Sequence, residues 1–306
     1  MRIRRRPVCK RFVLGLVLLL LTPPQSPGVP IISAQESPWA CPAPGSTSIP
    51  ASEATPADEA IAPAEFPPGG GNLTVFAAAS LTDAFEAMGE ELKAEYPTLS
   101  IAYNFGGSQA LVTQLREGAQ ADVFASANAV QMQAAHDAGL ITGEPAIFAG
   151  NVLVVVTPNG NPADIQDAAD LREDGVRLVL AQPEVPAGGY ARDVICRMAA
   201  DPSTYGHDFV ERVAANVVSE EEDVRDVLAK VALGEADAGI VYVSDAVAAG
   251  DQVHVVDILD EVNVIATYPV AVLAGGDEAL GSAFVAYLLS EEGQALLESY
   301  GFQPVK

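Results

Sequence analysis

The residues able to do chemistry here are hydroxyls and helix starts. Ser80 follows the apolar run Leu73 to Ala79, and Leu81, Ala84, Phe85, Met88 and Leu92 recur after it at helical spacing. A strand, a small-residue turn and a helix start therefore meet at one hydroxyl. A helix start carries unpaired N–H groups and the positive end of the dipole, so it attracts anions. Ser80 with Asp83 three residues on also fits a capping box, and taken alone the cap is the simpler reading. The arrangement recurs, however. Ser108 follows Gly106-Gly107 and opens a helix through Leu111, Val112 and Leu115. Ala187-Gly188 and Asp223-Val224 open helical patterns further on, and Tyr242 stands at the end of the strand pattern Ala238 to Val243. These residues offer serine hydroxyls, a phenol and backbone N–H groups, with no cation. Such a set suits a small oxyanion stripped of water, because neutral dipoles spread its charge and no proton changes hands.

The elements that must position them read as alternating strands and helices. Strands at Leu73–Ala79, Leu99–Phe105, Ala121–Ser126 and Asn151–Thr157 alternate with helices, the order of a parallel α/β lobe. A second lobe follows, with strands at Val176–Ala181, Ala238–Val243 and Val253–Ile258. Ser219 to Gly234 reads as a helix whose first turn is the solvated run Glu220-Glu221-Glu222. If Ser219 caps it, the Val224 N–H lies too deep to be free, so the anion reading needs a start nearer Glu222. Val264 to Ala274 looks like a late strand of the first lobe. The chain then crosses after Asn151 and returns near Asn263, which makes a hinge and a cleft. Residues 72–152 and 264–306 are expected to form lobe 1, and residues 153–263 lobe 2.

Ahead of these lobes the composition changes. Arg2, Arg4, Arg5, Arg6, Lys10 and Arg11 precede the apolar run Phe12 to Leu21, too short to span a bilayer. With Ile32-Ser33-Ala34 after it, residues 1–34 read as a secretory signal peptide; Arg5-Arg6 also raises a twin-arginine route. Residues 35–71 are rich in Pro and Ala, lack apolar periodicity and read as a disordered linker ending at Gly69-Gly70-Gly71. Cys9, Cys41 and Cys196 imply no disulfide framework. Cys41 reads as an unmodified linker cysteine, with a lipid tether at Cys41 as the alternative. The formal charge of −25 argues against a nucleic-acid partner. An anionic ligand must then be held by local donors against the global field.

Thr74-Val75-Phe76-Ala77-Ala78-Ala79-Ser80-Leu81-Thr82, Val185-Pro186-Ala187-Gly188, Glu222-Asp223-Val224-Arg225 and Gly239-Ile240-Val241-Tyr242-Val243-Ser244-Asp245 resemble the periplasmic molybdate-binding proteins of ABC importers. Tyr268-Pro269-Val270-Ala271-Val272 and Tyr300-Gly301-Phe302 match as well, so the resemblance runs from about residue 72 to residue 306. It implies a two-lobed type II periplasmic-binding-protein fold, each lobe a mainly parallel sheet flanked by helices. It implies one molybdate or tungstate held by Ser80, Ser108, Ala187, Val224 and Tyr242. It also implies delivery to a membrane permease, an exported location in the periplasm or at the cell surface, and a monomer with neither catalytic residues nor cofactor. Metal enters only as the Mo or W of the oxyanion.

Two alternatives are a sulfate- or phosphate-type receptor and a secreted serine hydrolase using Ser80 or Ser108. The hydrolase needs a histidine base, and His136, His207 and His254 stand beside none of these turns. No Gly-x-Ser-x-Gly elbow surrounds either serine, and the histidines lack metal-ligand spacing. Arg225 reads as structural or surface-facing, and Asp223 as serving its helix start.

Overall fold

The computed structural model describes Trp39, Cys41 and residues 65–305. The signal peptide expected at residues 1–34 lies outside them. The fold opens with β1 (Gly71–Ala78), a 3-10 turn (Ala79–Leu81) and α1 (Thr82–Glu95). Next come β2 (Leu99–Gly106), α2 (Ser108–Arg116), β3 (Val123–Ala125), α3 (Ala129–Asp137) and β4 (Ile141–Pro158). The middle of the chain forms β5 (Leu178–Ala181), α4 (Pro186–Ala199), α5 (Pro202–Tyr205), α6 (Phe209–Asn216), β6 (Val217–Glu221) and α7 (Val224–Ala232). It closes with β7 (Ala238–Tyr242), α8 (Val243–Ala249), β8 (Val253–Asp257), β9 (Ile265–Leu273), α9 (Glu278–Leu289) and α10 (Glu291–Ser299).

Strand order is β2-β1-β3-β9-β4-β7-β5-β6, with β8 also on β4. Pairing is parallel around β1 and β5, where helices make the crossovers, and antiparallel where β4 and β9 carry the chain between lobes. β4 belongs to both lobes. It pairs with β9 as far as Val152↔Ile265, and with β7 from Leu153↔Tyr242 onward. Its first half, not foreseen as strand, follows β9 through bulges beside Ala146 and Ala149. Two buried or half-buried asparagines brace the changeover. Asn263 accepts from Leu153 N at 3.3 Å and donates to Leu153 O at 2.9 Å, while Asn151 donates to Ser244 Oγ at 2.8 Å. Their amides satisfy groups that the sheet ladder leaves open at the crossing.

Buried side chains such as Phe85, Phe148, Phe284, Tyr242 and Tyr268 form a core continuous through both lobes, and a smaller cluster including Leu111, Phe124 and Met132 lies under α2 and α3. Among the described residues no helix is long and apolar enough to cross a membrane.

Four expectations are corrected. The disordered linker expected over residues 35–71 does not run to its end, because Phe66 is buried in the core against Tyr96 and β1 starts at Gly71. Residues 219–221 are not helical: Ser219, Glu220 and Glu221 belong to β6, and α7 starts at Val224. Pairing with β5 overrides the helix preference of the glutamates. Nor is the Glu220-Glu221-Glu222 run a solvated first turn, since Glu220 pairs with Arg192 and Glu221 with Lys230. Cys41 is not an unpaired linker cysteine. It is disulfide-bonded to Cys196 in α4, with Cα atoms 5.4 Å apart. A sulfur held in a disulfide cannot carry a thioether lipid, so the tether at Cys41 is withdrawn.

Candidate anion-binding site

Strand register brings the helix starts together in pairs. Ala78 stands opposite Gly106 in the β1–β2 pair, so the turns at Ser80 and Ser108 leave the sheet side by side. Ala181 stands opposite Glu221 in the β5–β6 pair, so the starts of α4 and α7 are neighbours in the other lobe. Tyr242 ends β7, which pairs with β5. The outcome is one small pocket lined by Ser80, Ser108, Ala187, Val224 and Tyr242, all five residues singled out in the sequence. Ala78, Ala79, Gly106, Gly107, Ala127, Val185, Pro186 and Asp223 complete the lining. The space it encloses is small, the size of a ligand of a few atoms.

Three helix starts facing this pocket, those of the 3-10 turn, α2 and α4, have no side-chain cap. Neither Gly107 before α2 nor Val185 before α4 offers a side-chain cap, and α4 begins with Pro186, which has no N–H to satisfy. Ala78 likewise supplies no side-chain cap to the 3-10 turn holding Ser80. Several helices away from the pocket are capped, α3 by Asn128, α9 by Asp277 and α10 by Ser290, although α6 is not. At α7 Asp223 accepts from Arg225 N and Asp226 N, which leaves the Val224 N–H uncommitted. The late start of α7 thus places Val224 at the first helical position, as the anion reading requires. Ser80 is not a helix cap either, as its hydroxyl lies 2.9 Å from Tyr268 Oη.

The hydroxyls are poised as donors. Ser108 Oγ accepts from Ala127 N at 3.1 Å, which leaves its proton available. Tyr268 can serve Ser80 in the same way by donating to its oxygen. Tyr242 is 1% exposed, and among the described residues its Oη, beside the Tyr268 ring, meets no partner at hydrogen-bonding geometry. Burial, then the neighbouring Tyr268, Tyr190 and Asp245, push its pKa well up, so the phenol keeps its proton. An unpartnered buried hydroxyl is costly unless a ligand engages it. Tyr268 was noticed in the sequence only as part of a motif; nothing local marks it as the partner of Ser80.

The charged groups stand outside the pocket, except for Asp223. Arg225 pairs with Asp83 and, through Nε at 3.0 Å, with Asp245 Oδ1, although the angle there is too poor for a hydrogen bond. Asp245 is 0% exposed and also accepts from Tyr242 N at 3.1 Å. Burial pushes its carboxyl up to about 7, with Arg225 and the Tyr242 N–H pulling the other way. Arg192, buried beneath the start of α4, was also missed; its only sequence signal is a cation on an otherwise apolar helix face. Contacts span the cleft as well. Gln109 Nε2 donates to Glu222 O at 2.9 Å, and Gln131 Nε2 to Glu184 O at 3.4 Å. Gly107 permits this approach, because a Cβ there would stand 2.5 Å from Glu222 O.

Two α/β lobes joined by shared strands, with uncapped helix starts from both converging on one small pocket, define a solute-binding protein. The chain belongs to the bacterial extracellular solute-binding protein family, whose profile matches residues 73–303. It is 41% identical over 244 residues to the molybdate-binding protein ModA of Mycobacterium tuberculosis (strain H37Rv), covering 79% of this chain and 88% of the relative. Identity to ModA of Escherichia coli (strain K12) is 34% over 239 residues, 76% and 89% of the two chains. The solved periplasmic molybdate-binding protein of Azotobacter vinelandii has the same fold, with a TM-score of 0.65 at 16% identity, covering 76% of this chain and all 100% of the other.

Proposed function

We propose that this protein captures molybdate or tungstate between its lobes outside the cytoplasm and delivers it to the membrane permease of an ABC importer. The observation that carries the reading is the buried Tyr242 hydroxyl, without a hydrogen-bond partner among the described residues, in a pocket with the uncapped starts of α2 and α4. The names of the ModA relatives support the same ligand. Ser80 and Ser108 contribute hydroxyls, Ala187 and Val224 contribute N–H groups, and Tyr242 contributes its phenol. Residues 72–152 with 264–306, and residues 153–263, close as two bodies about β4 and β9. The protein acts as a monomer, without cofactor and without a covalent step. No histidine lines the pocket to activate either serine. Residues 1–34 direct export and are removed; an intact mass that includes them refutes this.

Calorimetric titration with molybdate, tungstate, sulfate and phosphate tests the ligand. Molybdate and tungstate are expected to bind tightly. Near neutral pH phosphate carries a proton, and Asp223, the one carboxylate in the lining, already caps α7 through Oδ1. A mismatch of that kind costs about 1–3 kcal/mol. Equal affinity for phosphate and molybdate overturns the donor site.

A further inference from the structure

We infer that the segment carrying Trp39 and Cys41 is a strap that sets anion affinity by holding Arg192, a positioning residue, beneath the turn that presents Ala187. The inference rests on the reading of the pocket as an oxyanion site.

Arg192 is 6% exposed and does not line the pocket. Its Nη1 donates to Ala181 O and to Gly188 O, each at 2.8 Å. Ala181 is the last residue of β5 and Gly188 lies in the first turn of α4, so one guanidinium clamps both ends of the turn between them. Space there is tight. A Cβ on Gly188 would stand 2.0 Å from Gln182 O, which means that two backbones touch. The other arm, Nη2, pairs with Glu220 on β6, the strand that leads into the start of α7. Arg192 therefore braces both helix starts that lobe 2 offers to the anion.

Hydrogen bonds from the described residues do not fully fix this guanidinium, because among them its buried Nε has no partner. The ring of Trp39 covers a face of it, with Cζ 5.1 Å from the ring centroid. A desolvated contact of this kind is a favourable cation–π pair, and arginine is its commoner partner. Trp39 is kept there covalently. Cys41, two residues on, is bonded to Cys196, one helical turn beyond Arg192 on the same helix. The strap and the clamp thus share α4.

Trp39 is the only tryptophan in the chain, so its fluorescence reports on the strap alone. The full-length protein is titrated with molybdate by calorimetry and by fluorescence. Trp39→Ala is expected to raise Kd about three- to tenfold, between the scale of an exposed and of a desolvated cation–π contact. Trp39→Phe, which keeps an aromatic face, restores most of the affinity. The Cys41→Ser/Cys196→Ser pair weakens binding as Trp39→Ala does. In the wild type, molybdate shifts the tryptophan emission although Trp39 is outside the pocket, and Arg192→Lys abolishes that shift. Unchanged affinity in Trp39→Ala overturns the inference. So does a Trp39→Phe variant as weak as Trp39→Ala, since packing alone then explains the loss. The two tryptophan variants retain the disulfide, so the inference stands or falls on them even where the cysteine pair does not fold. A wild type that binds none of the oxyanions removes the pocket reading itself, which is a different result from a wild type and variants that bind alike.

Discussion

Arg225 on α7 forms an ion pair with Asp83 on α1, so one side chain joins the helix starting at Val224 to the helix that follows Ser80. These two helices belong to opposite lobes; α7 reaches the pocket with Val224, and α1 follows directly on the turn that places Ser80 in it. The pair spans the two lobes. On the proposed closure of the lobes, anion and ion pair draw on one opening equilibrium, and each favours the form that the other needs.

Asp83→Asn is expected to loosen the ligand-free protein. Both side chains are partly exposed, 25% and 41%, so solvent screens the pair. An exposed pair is worth about 0.2–1 kcal/mol, or at most about fivefold in Kd. Small-angle scattering without ligand should give a larger radius of gyration for the variant than for the wild type. Identical radii and identical molybdate affinities would show that the pair does not bias closure.

Tyr242→Phe separates binding from stability. It removes one hydrogen bond to a charged ligand, roughly 1.5–3 kcal/mol or about tenfold and more in Kd. The same change deletes a buried oxygen that has no hydrogen-bond partner among the described residues. Melting temperature without ligand should then hold or rise while affinity falls. A variant that melts lower and binds normally contradicts the assignment of Tyr242 to the ligand.

Ser80→Ala should do both kinds of damage. Affinity falls by a similar factor, and Tyr268 Oη, fully buried, loses the hydroxyl 2.9 Å away. Leaving a buried group short of a partner costs about 1–3 kcal/mol. Urea unfolding of the ligand-free variant, compared with Tyr242→Phe, should show the loss in Ser80→Ala alone.

Asp245 makes stability depend on pH. Its folded carboxyl titrates at about 7, raised chiefly by burial and further by Asp223 and Asp83, against the pull of Arg225. Unfolded, an aspartate titrates near about 3.9. Between these values the folded chain holds a proton that the unfolded chain has released. The contribution is therefore complete below about pH 4 and is lost as pH rises through about 7, a fall on the order of a few kcal/mol. Asp245→Asn, a mimic of the protonated form that leaves Arg225 its pair with Asp83, should flatten that fall. Urea midpoints at pH 5 and pH 8 measure it, and equal slopes for variant and wild type would place the titration elsewhere.

Much of the pocket was legible because its parts are local. Ser80, Ser108, Ala187 and Val224 sit where an apolar strand or a turn meets a helical pattern, and Tyr242 sits at a strand end. Neighbours within a few residues determine such points, through small side chains at the turn and apolar spacing beyond it. The changeover between lobes near Asn151 and Asn263 was legible for the same reason, as a strand pattern returning late in the chain. What only the tertiary structure decided lies in contacts between distant residues. Ser80 and Tyr268 are 188 residues apart, Cys41 and Cys196 are 155, and Asp83 and Arg225 are 142. Even the start of α7 belongs to this group, because residues 217–221 became a strand only by pairing with β5. A chain alone states which groups it owns and which local shapes they favour. Which donor remains unpaired, and so free for an anion, depends on every other group that folding brings within reach of it.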